Sequence, residues 1–125
     1  MDYEELNREF FRMVKEFYEE MDEPMGVSWQ EFVNSGRKEA REEFVEEEYK
    51  ETRDALKVGD TIETLDGICD ILYTAIGYFV EVDRNKEFDN FGQIRFSQSM
   101  YNYRDLALNI ASDAGFSNKI VYEAM

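Results

Sequence analysis

The chain carries almost no turn punctuation: a single proline, Pro24, and seven scattered glycines interrupt 125 residues. Sheet-rich folds need Gly and Pro clusters between short strands, and none are present. Between the few breaks, Glu, Leu, Phe and Met recur at three- and four-residue intervals, the spacing of one helix face. The pattern predicts an all-α fold, one compact domain over residues 1–125 built as a bundle of four to five helices. The first should run from about Tyr3 to Met21, with Leu6, Phe10, Met13, Val14, Phe17 and Met21 on its buried stripe. A second opens at Ser28, where Ser28 and Glu31 have capping-box spacing, breaks near Gly36 and continues to about Leu56. Asp60 caps a third helix reaching about Val82. Residues 83–96 read as a polar loop, a fourth helix as spanning about Ser97 to Ala114, and a fifth as starting near Ser117. Ile120, Val121, Ala124 and Met125 keep apolar spacing to the terminus without a capping signal, so the last helix is expected to be cut short.

Charge and the missing residue types exclude several functions. Fourteen Lys and Arg oppose 29 Asp and Glu, for a formal charge of −15. A field this negative opposes nucleic acid and anionic membranes unless metal ions intervene. The absence of His removes Ser-His-Asp and Cys-His nucleophilic systems and His-ligated zinc. The lone Cys69 has no partner for an internal disulfide, and no apolar N-terminal segment resembles a signal peptide, so a cytoplasmic protein is expected. No apolar stretch approaches the ~18 residues that span a bilayer.

Six glutamates fall between Glu42 and Glu51. At about 100° per residue, Arg41, Phe44, Val45, Glu48, Thr52 and Ala55 share one side of the helix, with Glu51 at its margin. Glu42, Glu43 and Glu46 face away and need only solvent. Glu48, near the middle of the apolar side, needs compensation, since a carboxylate facing a core costs several kcal/mol unless paired, hydrogen-bonded or protonated. Arg41, a bound metal ion or half-burial could supply it. On the third helix Glu63, Asp66, Asp70 and Glu81 form a narrow stripe beside Gly77, on a helix otherwise mostly apolar; that stripe could simply be its wet edge. Packed antiparallel across the short connection at residues 56–60, the two helices would bring Glu48 and Glu51 toward Asp66 and Asp70. Crowded carboxylates repel one another and suit a hard divalent cation such as Mg²⁺.

Two elements carry a family resemblance. Arg41-x-x-Phe44-Val45-x-Glu47-Glu48-x-x-Glu51 is followed by Asp66-Gly67-Ile68-Cys69-Asp70-Ile71-Leu72-Tyr73 and then Ala75-Ile76-Gly77. In order and spacing they resemble the MazG-like, phosphoribosyl-ATP pyrophosphohydrolase-like superfamily of all-α nucleotide pyrophosphohydrolases. The resemblance spans about residues 38–82. It implies a helical bundle that forms a homodimer or a dimer of dimers. It also implies Mg²⁺, or Mn²⁺ in its place, and hydrolysis of a nucleoside triphosphate to monophosphate and pyrophosphate. Carried over, Glu48, Glu51 and Asp70 are the catalytic metal ligands. Gly67 stands where many members carry Glu, so either Asp66 or Glu63 substitutes or the site is altered, with Glu47 as a further carboxylate. Arg41, Trp29, Tyr73 and Lys119 are the candidate substrate contacts, Lys119 standing in for a downstream Asn/Lys segment.

Plainer readings compete with these. Arg41 could be the structural partner of Glu48, Trp29 a core or dimer residue, Cys69 a small core residue and the Phe and Met stripe of the first helix core or oligomer surface. Tyr101, Asn102, Tyr103 and Arg104 could line a pocket or merely cover the bundle. The alternatives to an enzyme are a non-catalytic nucleotide- or metal-binding relative and an acidic helical interaction protein.

Overall fold

A computed structural model describes residues 2–83 and 91–125. Six helices run through them: α1 (Tyr3–Glu20), α2 (Trp29–Asn34), α3 (Arg37–Lys57), α4 (Thr61–Glu81), α5 (Phe91–Asp113) and α6 (Asn118–Ala124). The fold is all-α. Helix starts follow local chemistry: side chains of Asp2, Ser28, Asp60 and Ser117 accept from backbone amides three residues on, satisfying donors the first turn leaves open. The break expected at Gly36 is present, because Gly36 adopts φ 79°, a left-handed conformation that ends α2 and starts α3 at little steric cost. That break is why there are six helices and not five.

α4 is the axis of the bundle. Ile68, Ile71, Leu72, Ala75 and Tyr78 are fully buried, and α1, α3, α5 and α6 pack around them. The α1 stripe contributes Leu6, Phe10 and Val14, joined by the unforeseen Tyr18, while Phe17 and Met21 remain exposed. α3 and α4 run antiparallel and are in tight contact where Gly67 faces Thr52. A Cβ at position 67 would collide with the Thr52 side chain, so the close crossing depends on glycine. The α1–α2 connection lies against the end of α4 through a parallel bridge between Val27 and Val82. There the Val27 amide donates to the Glu81 carbonyl and the Asp83 amide to the Val27 carbonyl, both at 2.8 Å.

Three expectations change. α5 begins at Phe91, six residues before the expected Ser97, because Gln93, Phe96, Ser97 and Met100 form one buried stripe whose polar members disguised it. The rest of the expected loop, residues 84–90, lies outside the described residues. Ile62, placed by periodicity on the core side of α4, is 77% exposed in the first turn of that helix. Phe44 is likewise exposed, at the edge of the α3 face and not within it. No helix among the described residues is long and apolar enough to cross a membrane.

Candidate functional site

Glu48 of α3 and Asp70 of α4 lie within electrostatic reach of each other, one turn from the Thr52–Gly67 contact. Glu48 is half-buried on α3. Burial raises its proton affinity first, and Asp70, Glu51, Glu63 and Glu47 raise it further. Asp70, across on α4, is also shifted upward, by desolvation and then by Asp66. Asp70 nonetheless remains exposed. Glu51, Glu63, Asp66 and Glu47 are exposed. None of these six carboxylates forms an ion pair: every Lys and Arg ion pair among the described residues is made elsewhere.

Charge compensation for Glu48 does not come from Arg41. The Arg41 guanidinium is buried and bonds across to α4 and α1, donating to the Thr74 carbonyl at 2.6 Å, to the Tyr18 hydroxyl at 3.1 Å and to Glu81. Glu81 is completely buried, not on the wet edge expected for its stripe. Its other oxygen accepts from Arg37 Nε at 2.5 Å. The space for this cluster comes from Gly77, where a Cβ would collide with the Tyr18 hydroxyl and the Arg41 guanidinium. Arg37 and Tyr18 were not singled out from the sequence, and Glu81 was read there only as a member of the acidic stripe. The available signal was Arg37 and Arg41 one turn apart on α3, opposite an acid one turn past a glycine on a mostly apolar helix.

The remaining candidates separate. Tyr73 is half-buried near Asp70; its hydroxyl donates to the Met125 carbonyl at 2.5 Å and its ring lies 5.1 Å from Phe17. Trp29 is buried against Phe32 and Phe96, which leaves no open ring face for a base. Lys119 is exposed on α6 beside Glu123 and lines a different cleft with Leu6 and Tyr122. Cys69 is buried, and its thiol is pushed up to about 11 by desolvation and by Asp70 and Asp66, consistent with an unreactive core residue.

The donor set suits a hard cation in kind, being all carboxylate oxygen without a counter-charge. It is not a ready-made cage: among the described residues no three acidic side chains stand close enough to hold a metal ion together. Like charges without a counterion are expected to stand apart. Position 67 cannot contribute a carboxylate, since it faces Thr52. Of the two substitutes, Glu63 acts on Glu48 and Asp66 acts on Asp70. Beside Asp70 opens a cleft of about 390 Å³ walled by Phe17, Phe44, Tyr73, Thr74 and Arg37. A larger cleft of about 850 Å³ runs along Phe79 and Tyr101 and contains none of these acids.

Compared with known families, residues 8–89 match the model described as phosphoribosyl-ATP pyrophosphohydrolase. The match takes in more than half the chain, with all of α2, α3 and α4. No curated protein and no solved structure gives a match.

Proposed function

The chain belongs to the phosphoribosyl-ATP pyrophosphohydrolase family, in the MazG-like superfamily of pyrophosphohydrolase-type hydrolases, and from that premise we propose a Mg²⁺-dependent nucleoside triphosphate pyrophosphohydrolase. The observation that carries the proposal is Glu48, half-buried without a cation among Asp70, Glu51, Glu63 and Glu47. Such a group is costly in an empty site and useful in a loaded one.

Glu48, Glu51 and Asp70 would hold Mg²⁺, or Mn²⁺, with Asp66 and Glu63 at the margin. When bound, the ion neutralises the triphosphate and acidifies a water. A carboxylate of the cluster outside the ion's coordination, such as Glu47, would take up the proton released as water attacks the α-phosphorus. The bond to the bridging oxygen breaks, pyrophosphate leaves, and the monophosphate remains. The cleft beside Asp70 offers Phe17, Phe44 and Tyr73 to the base or sugar. Exposed apolar residues such as Val58 and Ile62 fit assembly as a homodimer or dimer of dimers, and the reaction fits a cytoplasmic protein of one domain.

A second reading, a relative that binds nucleotide and metal without turnover, is favoured by Gly67 at a ligand position and by the open arrangement of the acids. A panel of nucleoside triphosphates with Mg²⁺, scored for pyrophosphate release, separates the two. The enzyme releases pyrophosphate and loses this in Glu48→Gln and Asp70→Asn while remaining helical; wild-type-like turnover in both variants would sink the proposal. Binding without release over hours selects the second reading. No thermal shift with Mg²⁺ and nucleotide leaves an acidic interaction protein.

A further inference from the structure

Glu48 and Asp70 lie between two points at which α3 and α4 are held together. At one, Thr52 of α3 meets Gly67 of α4. At the other, the Arg41 guanidinium reaches the Thr74 carbonyl and Glu81, with Gly77 leaving the room. At about 1.5 Å of rise per residue, Glu48 lies ~6 Å and Arg41 ~16.5 Å along α3 from Thr52. Along α4 from Gly67, Asp70 lies ~4.5 Å away and Gly77 ~15 Å away. The helices are antiparallel, so both series run in the same direction. The two acids are therefore offset along the axis by only ~1.5 Å, and so are Arg41 and Gly77.

Both contacts also reach the acids through the backbone. Thr52, one turn after Glu48, donates its hydroxyl to the Glu48 carbonyl at 2.5 Å. Thr74, one turn after Asp70, donates to the Asp70 carbonyl at 2.8 Å, while its own carbonyl accepts from Arg41 at 2.6 Å. Arg41 is itself held in place by Glu81, which is completely buried, and by the Tyr18 hydroxyl of α1. Sliding one helix along the other would break a buried contact at each end of this frame.

We propose that Arg41 is a positioning residue for the acids, holding α3 and α4 in the register that sets Asp70 opposite Glu48. It bonds to neither carboxylate and acts through Thr74 and Glu81. Mg²⁺ demands ligand distances of about 2.0–2.1 Å in near-octahedral geometry, so a slip of ~1 Å between the helices leaves ligands too loosely placed to converge. The inference rests on the metal-site reading above and adds to it a residue that the ion does not meet.

The test is Mn²⁺ titration of the full chain, followed by loss of the free-ion signal in electron paramagnetic resonance. Wild type should bind and Glu48→Gln should not, which checks the metal site itself. Arg41→Met combined with Glu81→Leu removes both buried charges together. That variant should stay folded in urea denaturation yet bind Mn²⁺ about tenfold or more weakly, as happens when a residue behind the ligands is lost. Arg41→Lys keeps a charge beside Glu81 but lacks the fork that also reaches Thr74 and Tyr18; it too should fold and bind weakly. A residue that only stabilised the fold would leave Mn²⁺ affinity unchanged in variants that remain folded. Wild-type affinity in the folded variants, while Glu48→Gln fails to bind, overturns the proposal and leaves the metal site standing. If wild type takes up no Mn²⁺, or Glu48→Gln binds equally well, the metal-site reading fails and the proposal falls with it.

Discussion

Replacing Glu81 with leucine strands a buried arginine, and the cost follows from how the two guanidinium groups are placed. Arg37 has 39% of its side chain exposed and a second acid, Glu23, at 3.6 Å, so losing Glu81 costs it about 1 kcal/mol or less. Arg41 has only 7% exposed. The Thr74 carbonyl and Tyr18 hydroxyl still accept from it, but neither carries charge, and its Nε already lacks a partner. Removing one member of such a buried pair costs about 3–5 kcal/mol, a large share of the ~5–15 kcal/mol that holds a domain folded. Urea denaturation followed by far-ultraviolet circular dichroism should show this loss for Glu81→Leu. Arg41→Met combined with Glu81→Leu should recover to within about 1 kcal/mol of wild type, because the charge and its partner leave together. If Glu81→Leu alone falls within about 0.5 kcal/mol of wild type, as surface changes do, the cluster is not what joins α3 to α4 and the reasoning fails.

Gly67→Ala should destabilise by about 1–3 kcal/mol, since the added methyl meets Thr52 at the helix crossing; combining it with Thr52→Ala should recover part of that loss in the same denaturation assay. In metal-free buffer, melting temperature should fall as pH rises above the ordinary carboxylate range. Glu48 and Asp70 bind protons more tightly folded than unfolded, so ionisation favours the unfolded chain until pH exceeds their raised values. Glu48→Gln should flatten that slope, and an unchanged slope would contradict the crowding of acids around it. Cys69 should resist thiol reagents at mildly alkaline pH until denaturant is added, given a thiol pushed up to about 11; rapid labelling of the native protein would show the site to be open.

The approach of Glu48 to Asp70 was legible because it depends on helical phase and one short connection. Glu48 lies seven residues from Arg41 and four from Thr52, and Asp70 lies four from Asp66. Antiparallel packing then brings Glu48 and Asp70 opposite without further information. The caps at Ser28 and Asp60 were legible for the same local reason. Arg41 was harder: periodicity shows that it faces inward, but not that α4 offers Glu81 from below and α1 offers Tyr18 from the side. Trp29 could not be assigned from its own helix, because the aromatic rings that enclose it, Phe32 and Phe96, include one from α5. The start of α5 was hidden by Gln93 and Ser97, polar residues at core positions whose burial depends on neighbours distant in sequence.

α2 is six residues long, too short to persist by its own backbone hydrogen bonds, since isolated helices below ~12 residues are marginal in water. It is fastened at both ends: Gly36 joins it to α3, and the Val27–Val82 bridge ties its approach to the end of α4. A segment held this way has no inexpensive local opening. Its amides should trade hydrogen for deuterium only when the α4 terminus releases as well, so that one short helix, weak alone, exchanges with the slow cooperative unit at the centre of the molecule.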